Sequence, residues 1–125
     1  WLDLRGASFV DANLNLAIFR KAECSGTRFD LALLNKADFK SATAIAARFD
    51  GARLEEAEFH QANLAGAWFI NASLHLADFS ESVSDHAVFE GADLAEADFS
   101  LSSLVGANFN RASLAGAKFA GCNIS

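Results

Sequence analysis

The sequence predicts an all-β solenoid with four five-residue steps to each coil, and three observations predict it. The 125 residues divide into five-residue blocks from the first residue to the last without one insertion. In each block the second place is small and the fourth is large and apolar, while the first, third and fifth are mostly polar, charged or Gly. Departures from the fourth-place rule recur in steps of twenty. A fixed repeat is the mark of an array architecture, and a period of five fits neither a 3.6-residue helix nor a long alternating strand.

The blocks run WLDLR, GASFV, DANLN, LAIFR, KAECS and so on to GAKFA and GCNIS. The second place is Ala except at Leu2, Thr27, Ser82, Ser102 and Cys122. The fourth is Phe or Leu except at Cys24, Ala44, Ser84 and Ile124, and all twelve Phe fall there, ten residues apart from Phe9 to Phe119. Side chains two apart on an extended segment point to the same side, so places two and four face inward and the others outward.

The four fourth-place exceptions differ by multiples of 20, which sets four blocks to a coil. Phe columns then lie on two opposite faces. A third face carries Leu alone, from Leu14 to Leu114, and its opposite carries Leu4, Cys24, Ala44, Leu64, Ser84, Leu104 and Ile124. Ala44 and Ser84 predict a void or a local pinch in that column, and Ala44→Leu is expected to stabilise unless the wall has collapsed inward.

Blocks read as ADFKS, ANLAG, ADLAE, ADFSL and ANFNR closely resemble the pentapeptide-repeat family, whose pattern is A(D/N)LXX. The resemblance covers the whole chain. It implies the family's right-handed quadrilateral β-helix, with one block per face and about six coils. At an inter-strand spacing of about 4.8 Å the rod would be about 30 Å long.

Composition and charge narrow the function classes. One domain spanning 1–125 is expected, and a chain that begins at Trp1 with no Met reads as an array excised from a longer protein. At 52% apolar and a net charge of −6 the chain is neither disordered nor suited to contacting nucleic-acid phosphates. It offers no apolar run of membrane-spanning length. A soluble protein is expected, with the cytoplasm favoured and exported compartments open.

No residues assemble a catalytic, cofactor or metal motif. Cys24 and Cys122 fall at inward places about five coils apart, too far for a disulfide, and read as small core residues. His60, His75 and His86 share no column and read as surface residues. The Ser residues lack a nucleophile setting. Gly26, Gly51, Gly66 and the other first-place glycines read as structural residues where the chain turns a corner.

Two outward features are candidate binding surfaces. Asp38, Glu58, Asp78 and Asp98 form an acidic column on one Phe face, flanked by Glu56 and Glu96. Like charges stacked on adjacent coils are unfavourable unless a basic partner meets them, although the family's preference for Asp or Asn before the central residue is the favoured account of the column. On the other Phe face Trp68, Ile70 and Val88 are apolar at outward places, with Arg48 one coil below. Trp and Arg are typical interface anchors, and Arg48 over the indole would instead make a cation–π pair within the chain. Arg28 with Asp30, and Arg48 with Asp50, are expected to form exposed pairs of little energetic weight.

A rod of this kind has faces and ends to offer. The leading expectation is a non-enzymatic protein-interaction or scaffold module. The resemblance implies a second reading, the family's acidic rods that imitate duplex DNA and bind DNA gyrase; against it, this array is uninterrupted and Arg28, Arg48 and Arg53 break the negative field. A third is a structural spacer within a longer protein. The uncapped end coils also allow end-to-end self-association.

Overall fold

The computed structural model describes residues 2–125. The chain is a β-helix solenoid whose rungs are single parallel bridges between residues twenty apart: Asp3 with Glu23, Ser8 with Arg28, Asn13 with Leu33, Ile18 with Asp38, and so on to Ser103 with Asn123. Four faces follow. The first is centred on Leu4 to Ile124, the second on Phe9 to Phe109, the third on Leu14 to Leu114 and the fourth on Phe19 to Phe119.

Hydrogen bonding explains why five residues suffice for a face. The fourth-place N–H donates to a third-place carbonyl on the next coil, as Phe49 to Trp68 at 2.7 Å. The third-place N–H donates to a second-place carbonyl on the coil before, as Trp68 to Ala47 at 2.9 Å. The first-place N–H reaches a fifth-place carbonyl on the next coil, as Gly51 to Ile70 at 2.8 Å. The second-place N–H closes a turn on the preceding block, as Ala52 to Phe49 at 3.0 Å.

That leaves the fifth-place N–H, which in many of the blocks finds a side chain instead. Asp38 caps Lys40 at 2.9 Å, Asn63 caps Ala65 at 3.2 Å and Asp93 caps Ala95 at 3.1 Å, each through its Oδ1. Elsewhere a fifth-place side chain accepts from the residue twenty later, as Asn35 from Glu55 at 3.0 Å and Asp50 from Ile70 at 3.0 Å. Asp or Asn at the third place is therefore a backbone cap, because an unpaired N–H in a half-covered position is costly.

Every described first-place residue has φ between 56° and 72°. The glycines stand at these corners as expected, and sixteen of the corner residues are not glycine, so the turn accepts glycine without demanding it. Left-handed backbone costs an L-residue about 1 kcal/mol or more. The regular bond from the first-place N–H to the next coil, made from Gly6 to Leu101, offsets that cost. Some glycines answer to a neighbour: a Cβ at Gly91 would stand 2.2 Å from Asn71 Oδ1, and one at Gly106 would stand 2.5 Å from His86 Nδ1. The side chain one coil earlier lies across the glycine.

The interior is two Phe ladders meeting edge to face. Phe49 and Phe69 stack at 4.8 Å and 3°, while Phe59 meets Phe69 at 5.7 Å and 88°. Both geometries suit the ring quadrupole. At second places Thr27 donates to the Leu4 carbonyl at 2.7 Å and Ser102 to the Phe99 carbonyl at 2.6 Å, while the Ser82 hydroxyl pairs with that of Ser84 at 3.0 Å. Cys24 is buried and free, with its thiol pushed up to about 12 by burial and secondarily by Glu23. Cys122 is free and half-buried, its thiol donating to the Phe99 carbonyl at 2.8 Å. No pocket opens among the described residues, beside Ala44 and Ser84 included.

Candidate interaction surfaces

The fourth face carries the acidic column in register. Bridges join Asp38 to Glu58, Glu58 to Asp78 and Asp78 to Asp98, with Ile18 before and Lys118 after. Its two halves differ. Arg20 binds Asp38 at 2.5 Å and Lys40 pairs with Glu58, so a fifth-place cation reaches the third-place acid one coil on. At the corresponding next step stands His60, whose Nδ1 lies 2.8 Å from the Ser80 hydroxyl, itself donating to Asp78 at 2.6 Å. The upper half, Asp78 and Asp98, is held by serines and caps Ser80 and Ser100. The Ser100 hydroxyl and N–H, with Lys118 beyond, outweigh partial burial and keep the Asp98 carboxyl below the usual range. Glu56 and Glu96 sit exposed on the adjoining corner.

On the second face Arg28, Arg48, Trp68 and Val88 are consecutive in one column. The Arg48 guanidinium lies 5.2 Å from the Trp68 ring centroid and bonds Asp50 at 2.9 Å, and Arg28 bonds Asp30 at 2.5 Å. Arg48 is thus engaged twice within the chain. Trp68 remains 39% exposed at its edge, while Ile70 and Val88 are half-buried. Asp30 is nearly buried, and its Oδ1 has no partner.

Reading the outer surface column by column misses a larger pattern along the axis. Between residues 54 and 110 there are ten carboxylates and no Lys or Arg, whereas residues 1–53 hold eight of the ten cations. Glu55, Glu81, Asp85, Glu90 and Asp93 belong to this cation-free stretch and lie on faces other than the fourth. The signal was in the order of charges along the chain. All three histidines lie there too, His86 exposed and His60 and His75 half-buried. Among the described residues no three His, Cys, Asp or Glu side chains gather as metal ligands, and no helix is long and apolar enough to cross a membrane.

The register seen here, five residues to a face with Ala inside and Asp or Asn as cap, recurs in known proteins. A pentapeptide repeat protein of the Arabidopsis thaliana thylakoid lumen is 32% identical over 73% of this chain and 60% of its own, with a TM-score of 0.59. QnrB1, a plasmid-mediated fluoroquinolone resistance protein, superposes with a TM-score of 0.67 at 15% identity over 96% of this chain and 64% of its own. Rfr23, a pentapeptide repeat protein of the cyanobacterium Cyanothece 51142, matches at 0.58 and 20% identity over 99% and 88%. The last two likenesses speak to the fold alone. The chain spans less than two thirds of the length of the first two. Among curated proteins no sequence relative is found. The model of the pentapeptide repeats matches in eight copies over residues 1–35, 37–75, 57–94, 72–111 and 92–125, and with caps, corners and ladders repeating in that same register the chain belongs to the pentapeptide repeat family.

Proposed function

We propose that this chain is a non-enzymatic protein-interaction module, a rigid rod that presents side chains on its outer faces to a protein partner. One observation carries the reading: places two and four are spent on the ladders of the core, so variation between coils is confined to the outward places, where Trp68, Arg48 and the carboxylates stand. The coil is taken as right-handed and four-sided, with about six turns forming one domain, as in the family.

The test is capture of partners from an extract of the source cells, with three baits. The first is the chain itself, the second carries Asp38→Asn, Asp78→Asn, Asp98→Asn and Glu58→Gln, and the third carries Trp68→Ala. The Asn substitutions keep a cap oxygen while removing charge, so the second bait tests the acidic column without unravelling it. Loss of a partner from one variant bait assigns the working face. Capture of nothing by a folded bait favours the spacer instead.

A second reading, a rod that imitates the charge of duplex DNA and binds DNA gyrase, draws support from the cation-free stretch at 54–110. Pairing of Arg28 and Arg48 with their own aspartates also weakens the interruption those arginines were expected to make. Failure of purified gyrase to bind the chain at low salt, where electrostatic attraction is strongest, would sink it.

A further inference from the structure

An uncharged strip rounds the corner at Gly66. On the first face Ile45 is 41% exposed with Ala65 one coil on, and Val83, 40% exposed, stands a coil further with Asp85 between it and the corner. On the second face stand Trp68, 39% exposed, and the half-buried Val88 one coil on. The corner between them is bare, since a Cβ built on Gly66 would meet nothing within 4 Å. The apolar surface therefore continues across two faces, wider than the Trp68 column that the second face shows by itself.

The charge around this strip is one-sided. Glu90 and Asp85, whose Oδ1 accepts from the Ser103 hydroxyl and the Val105 N–H, flank it on the coil above, within the stretch that holds no Lys or Arg. Arg48 at the lower edge is already bound by Asp50 and laid over the indole. An apolar centre with a large aromatic and a charged rim is the anatomy of a protein interface. A strand could not add here, because main-chain groups along the faces pair with the coils above and below. The partner must bring side chains, and complementarity asks for cations at its rim.

We infer that the Gly66 corner is a docking surface for a basic amphipathic helix of a partner protein, apolar along one side and rich in lysine or arginine along the other. The inference rests on the reading of the rod as an interaction module and adds the place and the chemistry.

The probe is a synthetic, fluorophore-labelled helix with leucines on one face and lysines on the other, run beside oligolysine of equal charge and a version carrying glutamates for lysines. In a Trp1→Phe background Trp68 is the sole indole and reports contact directly. The leucine–lysine helix is expected to bind saturably and shift Trp68 emission to shorter wavelength. Ile45→Asp is expected to weaken binding about tenfold, as loss of an interface anchor does, while Asp78→Asn with Asp98→Asn on the fourth face leaves it within about twofold. The glutamate helix should not bind. Equal affinity for oligolysine, an unmoved Trp68 spectrum, or a fourth-face effect as large as that of Ile45→Asp would each overturn the assignment. The two readings fail separately: if a partner captured from extract is held equally by the Ile45→Asp chain, the corner is wrong and the module stands, whereas a folded rod that captures nothing and ignores the helix loses both.

Discussion

One oxygen of Asp78, Oδ1, accepts both the backbone N–H of Ser80 at 2.8 Å and the Ser80 hydroxyl at 2.6 Å. The acid that looks like part of a charged column is thus also the local cap of its own corner. An uncharged asparagine keeps an acceptor at that place and an alanine does not. Asp78→Asn is expected to hold stability within about 0.5 kcal/mol, while Asp78→Ala loses about 1 kcal/mol, in line with an ordinary intramolecular hydrogen bond. Thermal denaturation of the pair checks this. An equal loss in both would mean that charge, rather than the cap, is what the fold uses.

The Phe ladders make a second expectation quantitative. Phe59 is fully buried between Phe39 and Phe79 and is crossed edge-on by Phe49 and Phe69, whereas Phe119 is 37% exposed at the last coil. Phe59→Ala is expected to cost about 3–5 kcal/mol, the usual range for a buried aromatic. Phe119→Ala should cost less than half as much. Urea unfolding of both variants reads the difference, and similar losses would mean that the last coil is as tightly packed as the middle.

Period, inside and outside, and the pairing of residues twenty apart were legible in the sequence because each is written as a side-chain type at a fixed place. The glycines marked the corners without marking them all: a left-handed backbone is usually signalled by glycine, but here a repeated bond to the next coil supports it under Leu16, Lys36 and Glu96 as well. The acidic column was legible and its neutralisation was not. Arg20 and Lys40 reach Asp38 and Glu58 across coils, eighteen residues on, a spacing that a search along single columns passes over. The Gly66 corner needed the structure, since Ile45 and Ala65 belong to the first face and Trp68 to the second, and the two faces adjoin only where the chain turns.

Ala44 is fully buried between Cys24 and Leu64 in its column, and no pocket opens beside it among the described residues. We take the wall to be drawn in around this small residue, the second of the two outcomes expected of the sequence. Ala44→Leu is then expected to overfill the column and lower stability by about 1–3 kcal/mol. A rise in melting temperature would instead reveal an unfilled space.

The two thiols should separate in reactivity. Only thiolate reacts, and burial pushes the Cys24 thiol up to about 12 while removing it from solvent. Native chain at mildly alkaline pH is expected to label at Cys122 first, with Cys24 reacting only as the solenoid opens. Mass spectrometry after pulsed alkylation distinguishes them. Fast labelling of Cys24 without loss of structure would mean that the first face opens locally.

Asp98 offers a site-specific pH test. The Ser100 hydroxyl and N–H and, more distantly, Lys118 hold its carboxyl below the usual carboxylate range. A carboxyl depressed in the folded chain stabilises the fold above the unfolded value, and that contribution is lost as pH falls through the folded one. Acid should therefore begin to weaken this corner as pH falls into the range where free aspartate titrates, and the loss is complete only below the folded value. Ser100→Ala is expected to move the Asp98 titration upward, toward the free-aspartate range, and so to shrink the stability that acid removes through this carboxyl. Removing the charge by Lys118→Gln should move it less, because the cation acts at greater distance through solvent. Carboxyl-carbon NMR titration of the three chains measures both shifts. An Asp98 curve unmoved by Ser100→Ala would leave the backbone N–H at 2.8 Å as the group that holds the charge.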